Sequence, residues 1–348
     1  MTVITFVTTA DHQYTIRDVL ETRDHPLHGR IVILSYDELL AYPRLPRSTY
    51  VFADHERLNQ ADARAVTARI AALRKACPDC VMLNLPDQIG TRQDIMRRLH
   101  EAGVNDFRML PVDTPPDSFR YPVFLRRLDD HEGPKSQLIE TPAALQQEIA
   151  ALDPALRDRF AVTEYIDTRN DQGLHQRRAY TRIGDQLFPS GLGQSRAWVC
   201  KGEYSDPNNV PDPERELAFL QSDEDGAALR AAFDAARIQY GRADYALVGG
   251  RPQIFEINTN PWLEPPERVP GEDREGTERI VSNWIAAMTR LADTAPTGAG
   301  TWIEVPQATG RPTVRPSRRQ AARTLLRGMR QLHRETQAMR WLRRMKLI

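Results

Sequence analysis

Residues 240–258, YGRADYALVGGRPQIFEIN, contain two alternating runs separated by Gly249, Gly250 and Arg251. Period-two alternation is the pattern of a half-buried strand, and glycines between two such runs signal a β-hairpin. Pro252 is tolerated at the start of the returning strand, where its missing N–H costs least. Only a few registers are open to a hairpin this short, and each puts a different set of residues on one face. With Gly249, Gly250 and Arg251 as a three-residue loop, Val248 faces Pro252 and Asp244 lies directly opposite Glu256, because antiparallel partners share a face. Asn258 joins that face by alternation. A two-residue loop would set Asp244 opposite Phe255, and a four-residue loop opposite Ile257. The three-residue loop is therefore expected if these polar residues form a cluster. The strand stops at Asn260-Pro261, which leaves the polar groups at an edge.

Asp, Glu and Asn supply hard oxygen ligands, and Mg²⁺ usually takes one or two carboxylates and fills its other positions with water and phosphate oxygens. A face carrying Asp244, Glu256 and Asn258 therefore suits a Mg-nucleotide. On a solvated hairpin the same residues would be ordinary surface groups, so the rest of the chain has to decide between the two.

The chain has 348 residues, 41% hydrophobic and 27% charged. These are ordinary proportions for a soluble protein, and no apolar run approaches the roughly 18 residues of a membrane span. Its start, MTVITFVTTADHQYT, is a β-rich run with no basic leader, so export is not expected. Three cysteines make no disulfide framework, and the expected compartment is the cytoplasm. Cys77 and Cys80 in CPDC have redox spacing but no second metal pair or catalytic partner nearby in sequence, and read as structural. P-loop, zincin and hydrolase-elbow motifs are absent from the sequence.

Residues 1–112 alternate short apolar strands with helical stretches, the pattern of an α/β layer domain. Within it, Thr91 can cap and Gly103 can end a helix over 92–102. A second domain is expected over 113–292, after the proline-rich LPVDTPPDSFRYP. Residues 293–316 are rich in Pro, Gly and Thr and read as a linker. Residues 317–348 have helical periodicity. Net charge is zero, yet residues 311–348 hold twelve Lys or Arg against one Glu. This tail reads as a basic amphipathic helix, suited to an anionic membrane surface, a polyanionic partner or the chain's own acidic body. No sequence-specific nucleic-acid partner is expected.

GRADYALVGGRPQIFEINTNP resembles the metal-binding hairpin of the ATP-grasp superfamily, in which an Asp, a Glu and an Asn at this spacing hold two Mg²⁺ ions. The resemblance runs in order over about 85–292 through YPVFLRRLDDHEGPKSQLI and VTEYID, and points to the glutathione-synthetase-like and RimK-like members. It implies an α+β ATP-grasp fold, with two α+β subdomains gripping ATP behind an α/β pre-ATP-grasp domain. It also implies ATP and two Mg²⁺ ions as cofactors, with Asp244, Glu256 and Asn258 as the metal ligands. Arg126 stands where the family strand carries a phosphate-contacting lysine; its charge is retained but its geometry differs. Arg92 falls near an earlier basic position. His131, Gly133 and Lys135 lie on the expected phosphate-covering loop, which is glycine-poor here. Glu164, Tyr165 and Ile166 match the adenine hinge, and Asp167 the ribose position. Arg242 resembles an arginine that steadies the transferring phosphate. A further family arginine falls on Gln176, Arg178 or Ala179, of which Arg178 is chosen. SRAWVCKG, with Ser195 and Trp198, resembles a stretch in uncharacterised relatives that has no assigned role.

The implied activity is that of an ATP-dependent carboxylate-amine ligase. A small-molecule or peptide carboxylate becomes an acyl phosphate, ADP is released, and an amine or other nucleophile attacks. The alternatives are a kinase-like phosphotransferase and a non-catalytic nucleotide-binding scaffold that works through the basic tail.

Overall fold

The N-terminal runs ITFVT and IVILS pair in parallel, as continuous apolar strands with both faces covered do. A computed structural model describes residues 3–22, 24–130, 133–200, 206–269, 271 and 273–306. His131 and the basic segment 317–348 lie outside the described residues. The first layer runs β1 (Ile4–Thr8), α1 (Tyr14–Thr22), β2 (Ile31–Ser35), α2 (Tyr36–Ala41), β3 (Arg44–Pro46), β4 (Thr49–Phe52), α3 (Gln60–Ala76), β5 (Met82–Leu83), α4 (Pro86–Ile89) and α5 (Arg92–Glu101). Its sheet has the order β2-β1-β4-β5, all parallel. Thr91 and Asp94 form a reciprocal capping box at the start of α5, and Gly103 takes a left-handed φ of 71° just past its end.

Two antiparallel sheets follow. β6 (Met109–Pro111), β7 (Val123–Arg127), α6 (Pro142–Ala151) and β8 (Phe160–Glu164) build the smaller, with strand order β6-β8-β7. β9 (His175–Ile183), β10 (Gln186–Ser195), α7 (Pro213–Leu220), α8 (Gly226–Ala236), β11 (Tyr240–Val248), β12 (Arg251–Asn258) and α9 (Asp273–Asp293) build the larger, with order β10-β9-β11-β12. Ile95 and Leu99 of α5 and Leu229 and Phe233 of α8 share a core with Tyr245 and Ile254 of the hairpin strands. Full burial of such a side chain stabilises by roughly 1.5–3 kcal/mol.

Asn84, itself at φ 60°, joins the parallel layer to β11. Its side chain accepts from the N–H groups of Gln239 (2.9 Å) and Tyr240 (3.0 Å) and donates to the carbonyl of Tyr240 (2.6 Å). The Tyr240 ring meets Phe6 edge-on at 5.3 Å, and Trp284 Nε1 donates to its hydroxyl at 3.2 Å. Residues Met1–Ala308 consequently form one compact unit, and the boundary expected near 112 falls just after β6, which pairs with β8. Part of the stretch read as a linker is also in this unit: β13 (Trp302–Glu304) pairs antiparallel with β3. The buried Arg69 guanidinium secures that end by donating to the carbonyls of Leu39, Tyr42, Val305 and Pro306. Cys77 and Cys80 are joined by a disulfide, where the cytoplasmic reading expects thiols. Among the described residues no helix is long and apolar enough to cross a membrane.

Replacing Arg69 with Met removes those donors and leaves buried carbonyls unpaired, each costing about 1–3 kcal/mol. The expected result is a loss of about 3 kcal/mol in urea unfolding, with faster proteolysis between 294 and 301.

Candidate functional site

Gly249 and Gly250 take φ of 57° and 77°, the positive values a type I′ turn requires at both central residues. The turn therefore has two residues, and Val248 pairs with Arg251 and Leu247 with Pro252. This corrects the expected three-residue loop, in which Val248 faced Pro252. The opposition of Asp244 and Glu256 nevertheless holds, because the register slips between Tyr245↔Ile254 and Asp244↔Glu256 and leaves Phe255 as the extra residue of a β-bulge. Phe255 packs toward Phe107, with ring centroids 6.4 Å apart, and Arg242 lies opposite Asn258.

Arginines from several elements hold the two carboxylates. Arg92, buried at the start of α5, donates from Nη2 to Glu256 Oε1 at 2.9 Å, and Arg126 on β7 donates to Glu256 Oε2. Arg92 also binds the carbonyls of Arg127 (3.0 Å) and Asp130 (2.6 Å). Burial lowers its pKa, with the Glu256 charge opposing that effect. Asp244 accepts from Arg242 Nε at 3.1 Å and has Arg177 Nη1 at 4.0 Å. Asn258 Oδ1 accepts the Asn260 N–H at 2.8 Å. Guanidiniums of four arginines thus converge on the two carboxylates, donors of the kind that also bind phosphate oxygens. The donor set fits a divalent cation as well: all three candidate ligands bear oxygen donors, and the guanidiniums on the carboxylates are side chains that an ion could displace.

β9 lies beside β11 with Ala179 opposite Asp244 and Thr181 opposite Arg242. Alternation therefore turns Arg177 toward the site and Arg178 away from it. Arg178 bonds Glu224 (2.5 Å) and Asp225 (2.8 Å) with its guanidinium 5.3 Å from the Phe219 ring, so Arg177, and not the chosen Arg178, shares the face of Asp244. Only the pairing of β9 with β11 carries the signal that identifies it, and that pairing is not written in the local sequence.

On the expected phosphate loop, Gly133 has φ 92°, Lys135 Nζ pairs with Asp130 at 3.0 Å, and the Lys135 N–H bonds the Leu125 carbonyl. In the segment expected to form the hinge, Glu164 is buried and turned inward. Its carboxylate accepts from the N–H groups of Arg108 (3.0 Å) and Arg120 (2.8 Å) and from Arg108 Nε (3.0 Å). Burial alone would raise its pKa, but these donors outweigh burial and hold it below the usual carboxylate range. The Tyr165 N–H bonds the Pro122 carbonyl, and burial with the Asp167 charge pushes its phenol up to about 12. Asp167 is gripped by Arg169, which lowers its pKa to about 2. Ile166 packs against the core beneath the hairpin. Trp198, half-buried, stands 5.1 Å from the Phe124 ring and 6.0 Å from Tyr165, forming an aromatic group beside the expected hinge. Ser195 is buried and accepts the Ala197 N–H.

Beyond β12, Thr259 and Asn260 explain why the strand stops. Asn260 donates to Thr8 Oγ1 (2.9 Å) and accepts from Thr15 Oγ1 (2.7 Å), while Thr259 Oγ1 accepts the Asp54 N–H (2.8 Å) and donates to Glu56 (3.2 Å). Asp54 sits in a left-handed conformation, φ 64°, and accepts from Thr9, His12 and Arg57. Next to the hairpin, Arg177 and Arg242 line one wall of a cleft of about 550 Å³.

The chain is similar to the D-alanine–D-alanine ligase from Bacillus anthracis, with a TM-score of 0.50 at 13% identity over 84% of this chain and 99% of that one. It is also similar to D-cycloserine synthetase DcsG, with a TM-score of 0.48 at 14% identity over 83% and 99% of the two chains. A RimK domain ATP-grasp protein from Sphaerobacter thermophilus aligns with a TM-score of 0.44 at 14% identity over 84% and 99%. No protein-family model and no curated protein matches the sequence. The fold is the ATP-grasp fold.

Arg178→Ala removes the charged partner of the buried Asp225, which keeps only part of its hydrogen bonding through the Tyr245 hydroxyl (2.6 Å), and is expected to cost about 3 kcal/mol; Arg177→Ala should cost less, so their order in thermal melts checks the assignment of faces. Glu164 has a folded-state pKa below its unfolded one. Its stabilisation is therefore present above the unfolded value of about 4.3 and lost as pH falls through the lower folded value. The stability gap between wild type and Glu164→Gln should accordingly be largest at neutral pH and shrink below about pH 4.

Proposed function

We propose that the protein is an ATP-dependent ligase that converts a carboxylate into an acyl phosphate for attack by an amine or other nucleophile, releasing ADP. The observation that carries this reading is the Asp244–Glu256 pair, set opposite each other on an ATP-grasp hairpin and ringed by Arg92, Arg126, Arg177 and Arg242. Asp244, Glu256 and Asn258 would hold Mg²⁺, which supplies charge neutralisation across the phosphate oxygens when bound. Arg126 and Arg92 face the same carboxylate and are placed to exchange it for phosphate oxygens. Arg242 and Arg177 flank Asp244 on the side of the cleft, where they can orient the acid and hold the charge that develops as the phosphoryl group moves. The work of these residues is positioning and charge balance, which is what phosphoryl transfer asks of a protein.

A second reading, nucleotide binding without turnover, draws support from Arg126, which stands at the lysine position and is engaged with Glu256. ADP release separates the two, and a phosphorylated hydroxyl or amine product in place of an amide would mark a kinase-type reaction.

Thermal unfolding with Mg-ATP, Mg-ADP and ATP plus EDTA tests the site without knowledge of the substrate. Ligand at about one hundred times its dissociation constant adds about 2.7 kcal/mol, a rise of several degrees. The rise should require Mg²⁺ and vanish in the Glu256→Gln, Asn258→Ala double variant, each protein being referred to its own ligand-free melt. A wild type that shows no rise would defeat the proposal.

A further inference from the structure

The cleft beside the hairpin is lined by side chains of both charges. Arg177 and Arg242 stand next to Asp244, whereas the remaining lining carries Asp212, Glu216, Glu264 and Asp273. The same lining carries apolar side chains, among them Leu192, Val210, Ile280 and Val281. At about 550 Å³ the space is within the ~300–1,000 Å³ range of small-ligand sites. Glu216 on α7 reaches over β10, where a bulge between Pro189 and Gly191 breaks the ladder, and its Oε1 accepts the Leu192 N–H at 3.1 Å. Burial pushes its pKa up, and the Asp273 charge adds to the rise against Arg177. A partly desolvated carboxyl near a second acid is stabilised by a bound cation.

We propose that this cleft takes a carboxylic acid with a cationic far end, such as a basic amino acid or short cationic peptide, its carboxylate at Arg177 and Arg242, its methylenes on the apolar wall and its ammonium or guanidinium at Glu216. The placement of the carboxylate next to the phosphates rests on the ligase reading, whereas the preference for a cation at Glu216 is a binding property of the cleft itself. Trp262, exposed in the chain alone, stands in the lining of the same cleft.

Three acids with the same carboxylate and different far ends test this by calorimetry on the full chain: 6-aminohexanoate, hexanoate and adipate. The ammonium-ended acid should bind wild type at least about ten-fold more tightly than either of the others. Glu216→Gln keeps an acceptor for the Leu192 N–H and should reduce that preference to less than about three-fold. Thr277→Lys, which places a tethered ammonium in the cleft, should weaken 6-aminohexanoate while sparing adipate. Equal affinities, preference for hexanoate or adipate, no binding of any of the three, or a preference untouched by Glu216→Gln would each overturn the proposal. The Mg-ATP melt is read separately: a Mg-dependent rise without cation preference sinks only the cleft assignment, and cation preference without the rise sinks only the ligase reading.

Discussion

Asp244 and Glu256 face each other across a hairpin, and the arrangement of the other elements follows from how that pair is held. A Gly-Gly type I′ turn suits strand twist, but taken alone it would have brought Phe255 opposite Asp244. The bulge absorbs Phe255 into contact with Phe107 and returns Glu256 to the shared face. Arg92 comes from α5, Arg126 from β7, Arg177 from β9 and Arg242 from β11 itself. Bringing these charges together out of water is costly unless the geometry is good, and removing one partner of a buried pair is worse than never having built it. The site is therefore also a joint at which the parallel layer and both antiparallel sheets meet.

The second joint is made by neutral hydrogen bonds. Thr259 and Asn260 leave the β12 ladder and engage the carboxyl ends of β1 and β4 through Thr8, Thr15 and the Asp54 N–H. In open parallel sheets this is the edge at which ligands bind. Asp54 pays for its place with a left-handed backbone, held there by Thr9, His12, Arg57 and Thr259. The strand stop at Asn260-Pro261 thus anchors the hairpin to the layer below it, within two residues of Asn258.

Arg126 is engaged with Glu256, a contact that a planar donor makes well. Glu164 is an internal tie for Arg108 and the Arg120 N–H, and the next residue, Tyr165, meets Trp198, which also packs toward Phe124.

The sequence alone determined what short-range chemistry encodes. Period-two alternation and paired glycines marked the hairpin, Thr91 and Gly103 marked the ends of α5, and the apolar runs marked the parallel strands. The candidate metal face of Asp244, Glu256 and Asn258 was legible for the same reason, although the loop length inferred from it was wrong by one residue and the bulge compensated. Tertiary structure decided the rest. Whether Arg177 or Arg178 faces the site depends on how β9 registers against β11, which are separated in sequence by two helices and a strand. The inward turn of Glu164 depends on Arg108 across β6, and the fate of residues 302–306 on the buried guanidinium of Arg69. Each of these is a long-range pairing, and a side chain's face is set by its partner strand or its buried counter-charge, neither of which the neighbouring residues specify.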